Sequence, residues 1–172
     1  MPFTLINRLL SLLLCLYVSA GLADPSALQK IKIDITSHLG DQQQFQQGDE
    51  ISFLLSLDKD AHIYVIYEDA SGQRLQIIPN AVQPDNFYRA GFFLAIPGQD
   101  SAFRFIIQPP FGKETLWVFA TDKPGLQLKG QLLENGLSLL KSDIKQIRQK
   151  IKLHSQRLWG EARFSLSTKA GG

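Results

Sequence analysis

The chain has 172 residues, which suits one domain with a sizeable core. Its 44% hydrophobic and 20% charged residues are those of an ordinary globular protein and exclude a chain too polar to fold. The formal charge of +2 is divided unevenly: residues 24–125 hold 8 Lys and Arg against 13 Asp and Glu, whereas residues 126–172 hold 9 against 3. An acidic segment facing a basic one either ties the two together or leaves a basic surface for an anionic partner.

The first residues read as an export signal. Arg8 precedes an apolar run from Leu9 to Val18, broken only by Ser11, and small residues follow at Ser19, Ala20, Gly21 and Ala23. Such a run is too short to span a bilayer but matches a secretory signal. Cleavage after Ala23 fits these small residues, with Ala20 as the alternative point. Cys15 is the only cysteine, and Leu12 to Leu14 lack the small residue that lipoprotein signals carry ahead of theirs. The expectation is a signal peptide over residues 1–23 and a mature periplasmic or secreted domain over residues 24–172. That domain has no cysteine and must be stable without disulfides.

In chain order, Ile31, Ile33 and Ile35 alternate with polar residues, which predicts a half-buried strand. His38 to Gln47 is Gln-rich and reads as a surface loop. Gly48-Asp49 turns the chain into an alternating strand through Ile51, Phe53, Leu55 and Leu57. The stretch from Ala61 to Tyr67 is apolar on both faces, as expected of a strand inside a packed sheet. A turn around Gly72 returns the chain through Leu75 to Ile78, predicting a hairpin that ends at Pro79-Asn80. The longest irregular stretch follows, Ala81 to Gly91, then short strands over Phe92 to Ile96, Phe103 to Gln108 and Leu116 to Ala120. About seven short strands with turn signals between them predict an antiparallel, immunoglobulin-like β-sandwich.

The period then changes. Leu137, Leu140, Ile144, Ile147, Ile151, His154 and Leu158 recur at helical spacing. They predict one amphipathic helix over about 137–159, with Ser138 as N-cap and Gly160 as stop. Leu140, Ile144, Ile147 and Ile151 are expected to dock it on the sheet. Lys141, Lys145, Arg148 and Lys152 form a basic ridge beside this stripe. A closing strand is expected over about 162–168.

Several signatures occur in a particular order: Gly48-Asp49, the aromatic strand with Gly72 in its hairpin, Pro79-Asn80, Ala90-Gly91, Ile96-Pro97, and Pro110-Phe111-Gly112-Lys113-Glu114 before Phe119-Ala120. Over roughly residues 45–124 this resembles the bacterial DUF4384 family, an uncharacterised domain. The resemblance implies a β-rich accessory or recognition module of exported proteins and brings no catalytic residues. Ile77-Ile78 stands where that family frequently has an aromatic.

No phosphate-binding Gly-rich loop, metal-ligand spacing or nucleophile elbow occurs in the sequence. His38, His62 and His154 fall on a loop, a strand and a helix, and Asp58, Asp60, Glu68 and Asp69 read as solvated loop acids. No cofactor, metal or nucleic-acid partner is therefore expected. Tyr64, Tyr67 and Trp117 read as core. Phe87, Tyr88 and Phe111 lie in loops and suit binding. The candidate binding residues are Asn80, Tyr88, Arg89, Phe111 and Lys113, on the loop from Pro79 to Gly91 and the turn from Pro109 to Glu114. Their structural alternative has Asn80 capping the hairpin and Phe111 plugging one end of the sandwich. Two function classes follow. One is a non-catalytic binding or scaffold module of a bacterial envelope assembly, such as a secretion apparatus, with a protein or a glycan as partner and membrane contact through the basic helix as a minor variant. The other is a hydrolase acting on cell wall.

Overall fold

A computed structural model describes residues 28–40, 44–99, 101 and 103–172. The expected signal peptide and Cys15 lie outside the described residues. The first half of the chain forms β1 (Gln29–Lys30), β2 (Ile33–Ser37), β3 (Gln44–Gln46), β4 (Glu50–Ile51), β5 (Phe53–Leu57), β6 (Ala61–Glu68) and β7 (Arg74–Ile78). There follow β8 (Phe87–Tyr88), β9 (Leu94–Ile96), β10 (Phe105–Ile106) and β11 (Lys113–Thr121). The C-terminal part supplies β12 (Gly130–Leu132), β13 (Ser138–Leu140), α1 (Ile144–His154) and β14 (Leu158–Lys169).

The protein is mainly β. Nine strands form one sheet in the order β1-β14-β11-β6-β7-β13-β12, with β3 also on β14 and β8 also on β6. A smaller sheet runs β2-β5-β9, and β10 pairs with β4. Pairings are antiparallel except β1 and β3, which both run parallel to β14. This mixed edge departs from the wholly antiparallel expectation. The predicted hairpin is present: Asp69 Oδ1 accepts from the backbone N–H of Ser71 and Gln73, and Gly72 takes φ 81° in the turn.

The two apolar faces of β6 go to different cores. Ile63 and Val65 join Leu116, Val118 and Ala120 of β11 against Phe53 and Leu55 of the small sheet. Tyr64 and Ile66 point the other way, with Phe119, onto Ile144, Ile147 and Ile151 of α1. The large sheet is thus a middle layer between the small sheet and one helix. Successive side chains of a strand face opposite sides, so a strand apolar throughout must be covered twice.

The helix is shorter than the stripe predicted. Asp143, not Ser138, is its N-cap: its side chain accepts from Gln146 N at 2.7 Å while Gln146 Oε1 accepts from Asp143 N at 3.2 Å, a capping box. Leu137 and Leu140 belong to the β12–β13 hairpin instead, although Leu140 still reaches the helix core. His154 ends the helix with its Nε2 2.9 Å from the Pro124 carbonyl. Leu158 opens β14, so the closing strand begins earlier than expected. Gly160 does not stop the helix; it lies within β14, where a Cβ would come 2.6 Å from the Ile31 carbonyl oxygen. The close approach of β14 to the Ile31 segment therefore requires glycine.

The Gln-rich connection is not wholly a loop either. Phe45 is buried, and Gln44–Gln46 extend the large sheet beside β14. Residues 41–43 lie outside the described residues. Ion pairs among the described residues join Lys32 to Asp34, Arg74 to Glu68, Arg104 to Glu50 and Arg148 to Glu161. None of these links the acidic segment to the basic one.

Candidate functional site

The segment from Phe87 to Leu94 builds an apolar groove on the flank of the small sheet. β8 pairs with the start of β6, Tyr88 opposite Ala61 and Phe87 opposite His62. The chain then reverses through Arg89-Ala90-Gly91. Asp60 Oδ1 accepts from Ala90 N at 2.8 Å, and Gly91, at φ 79°, donates its N–H to the Leu57 carbonyl at 3.1 Å. A positive φ is cheap only for glycine, so Gly91 fixes the direction in which the next residues leave. Those residues are Phe92 and Phe93, 70% and 76% exposed. β9 begins directly after them and, among the described residues, pairs with β5 alone.

The resulting groove holds about 270 Å³ and is lined by Ser56, Phe87, Tyr88, Arg89, Phe92 and Phe93 together with the largely buried Leu55 and Leu57. The His62 and Phe87 rings lie 5.2 Å apart at one end. Tyr88 is half-buried, and its hydroxyl accepts from Gln83 Nε2 at 2.5 Å. Burial, and then the Asp85 carboxylate, push the phenol above its ordinary range, so it stays protonated. Arg89 is exposed, and no ion-pair partner reaches it among the described residues. Among the described residues, the groove therefore presents aromatic surface with one cation at its edge that has no ion-pair partner.

Of the five residues expected from sequence, Tyr88 and Arg89 meet here. Asn80 lies one hydrogen-bonded residue away: its Oδ1 accepts from Val82 N and Gln83 N at 2.8 and 2.7 Å, and its Nδ2 donates to the Ile77 carbonyl at 2.8 Å. That is the capping role. It also lines a neighbouring recess of about 350 Å³ with Gln83, Ser101 and Phe103. Phe111 and Lys113 are elsewhere. β11 meets the Glu68 end of β6 through Thr115, whereas Tyr88 meets the Ala61 end. Seven residues at ~3.3 Å each separate the two loops by roughly 23 Å. Phe111 is half-buried against the main core, and Gly112 N donates to Thr168 Oγ1 at 3.0 Å. The five residues thus form no single site.

Phe92 and Phe93 were not singled out by the alternation, which reads Phe92 to Ile96 as one strand. The available signal was their adjacency, since two neighbouring strand residues cannot both face one core.

The histidines and loop acids have local roles. His38 Nδ1 bonds the backbone of Ser52, and His62 Nδ1 lies 3.1 Å from Asn86 Oδ1. Asp58 Oδ1 accepts from Lys32 N at 2.7 Å, and Glu68 pairs with Arg74 at 3.1 Å. Among the described residues no three His, Cys, Asp or Glu converge as a metal would need. Nor is any described helix long and apolar enough to cross a membrane.

Fold and groove together define a layered, mainly β domain with an exposed aromatic groove. Residues 44–124 match the family described as Domain of unknown function (DUF4384), the family that the ordered motifs resemble. The match runs from β3 through β11 and contains the Phe87–Phe93 segment, whereas β12, β13, α1 and β14 lie beyond it. No curated protein and no solved structure matches the chain.

Proposed function

We propose that this protein is an exported, non-catalytic recognition module of the bacterial envelope whose Phe87–Phe93 groove takes an apolar segment of a protein partner. The carrying observation is the exposure of Phe92 and Phe93 side by side at a groove already walled by Leu55, Leu57 and Phe87. Contiguous exposed aromatics are unfavourable in water unless a partner covers them. The lining is mainly apolar, its polar groups being Arg89 and the Ser56 and Tyr88 hydroxyls, which favours an apolar protein segment over a hydroxyl-rich glycan. Arg89 supplies a positive rim, so the segment carries a carboxylate near its apolar side chains. Envelope localisation rests on the signal-like residues 1–23.

A photoreactive phenylalanine analogue replacing Phe93, expressed with the full chain in its native host, tests this. The expected result is a discrete adduct with one envelope protein, absent when the same analogue replaces Ser165 on the far side of the large sheet. Adducts of equal yield at both positions, or none at 93, would overturn the assignment.

A further inference from the structure

A second surface lies on the helix-covered side of the large sheet and collects mainly positive charge. Trp159, Glu161 and Arg163 of β14 face that side beside Trp117 of β11, since Phe164, Leu166 and Ala162 belong to the opposite core. The register sets Arg163 opposite Trp117, and Lys30 of β1 beside Trp159. Arg148 and Lys152 descend from α1. The Arg148 and Arg163 guanidinium carbons each sit 5.7 Å from the Trp117 ring centre, and Lys152 Nζ sits 4.0 Å from that of Trp159. A groove of about 380 Å³ runs between the helix and the sheet.

Arg148 is committed within the protein, donating to both carboxylate oxygens of Glu161 at 2.6 and 2.5 Å. Arg163, Lys152 and Lys30 have no carboxylate partner among the described residues. The basic surplus of residues 126–172 is therefore not spent on the acidic segment. Indole faces hold two of these cations in place, which lowers the entropy lost when they engage an anion.

We propose that this groove binds an acidic polysaccharide, a glycan chain bearing repeated carboxylates. Three features point to it. From Trp159 to Arg163 the cations span roughly 13 Å along β14, at ~3.3 Å per residue, which suits a chain of spaced charges better than a single ion. Among the described residues the buried Trp117 Nε1–H has no acceptor, and an oxygen of a chain seated in the groove would supply one. A recess between helix and sheet admits a linear chain but not the flat surface of a bilayer.

Trp117 and Trp159 are the only two tryptophans of the sequence, so intrinsic fluorescence reports on this groove directly. Titration of the full mature chain with polygalacturonate should change that fluorescence saturably, with affinity falling as salt rises. Neutral dextran should produce no change. Arg163→Gln combined with Lys152→Gln, both at exposed positions, should weaken polygalacturonate binding at least tenfold with an unaltered melting curve. Equal binding by polyglutamate or by phosphatidylglycerol vesicles would overturn the polysaccharide assignment. Undiminished binding by the double variant, or no response to polygalacturonate, would overturn the site itself.

Discussion

Glu114 is a buried carboxylic acid within the β layers. It lies on β11 at 2% exposure, accepting hydrogen bonds from the Tyr67 hydroxyl and, at 2.8 Å, from Thr168 Oγ1. No cation pairs with it among the described residues. Burial pushes its carboxyl above the ordinary range, and the Thr168 hydrogen bond offsets this only in part. The sign follows from proton binding. At acid pH both folded and unfolded chains carry the proton, and the neutral acid is buried at little cost. As pH rises through the ordinary carboxyl range toward the raised folded value, the unfolded chain releases its proton first and stability falls. Glu114→Gln removes the charge and keeps one acceptor oxygen, while the hydroxyl facing its amide nitrogen must turn to accept. Its melting temperature should exceed that of the unaltered protein at neutral pH, with the gap closing toward acid; a lower melting temperature at neutral pH would show that the carboxylate is stabilising. None of this was legible in sequence, where Glu114 is one acid after a turn and its burial depends on Tyr67 and Thr168, distant along the chain.

At the scale of elements, α1 shows what hydrophobic spacing does and does not specify. The docking residues Ile144, Ile147 and Ile151 were legible, and all three are buried. The start of the helix was not. Leu137 and Leu140 keep the same spacing, but Asn135-Gly136 is a strong short hairpin signal. With Gly136 at φ 82°, it folds Ser138–Leu140 back as β13. Leu140 then packs against the helix from the sheet side, so tertiary packing satisfies the helical spacing without a helix. Ile147→Ala should cost ~2–5 kcal/mol through the cavity left between α1 and β11, whereas Asp143→Ala should cost ~0.5–2 kcal/mol through loss of the cap. Urea denaturation checks both, and an Ile147→Ala variant as stable as the parent would mean that the helix does not hold the sheet. The closing strand shows the complementary limit. Its alternation was legible, but its place between β1 and β11, with parallel neighbours on its outer side, depends on pairings from 38 (Thr121 with Trp159) to 129 (Gln29 with Leu158) residues apart along the chain.

Across the whole molecule, local pattern established that the chain forms layered β structure, and long-range pairing decided which surfaces stayed uncovered. Ile31 and Lys32 carry the chain from β1 in the large sheet to β2 in the small one, a switch that no local signal marks. The loops expected to share a site sit at opposite ends of β6, and the exposed Phe92-Phe93 pair emerged only once β9 was placed beside β5. The aromatic groove and the basic groove have no lining residue in common, so the two proposed ligands would not compete for the same side chains. The most direct test is the affinity, by calorimetry, of the partner identified through Phe93 for the unaltered protein and for the Phe92→Ser, Phe93→Ser double variant, with melting curves recorded in parallel. Both rings are largely exposed in the free protein, so the variant should melt within a few degrees of the parent. Burial of a Phe side chain contributes ~1.5–3 kcal/mol, and each ~1.4 kcal/mol is tenfold in affinity. Recognition through this groove thus predicts a loss of about a hundredfold or more at unchanged stability. An unchanged affinity would contradict it.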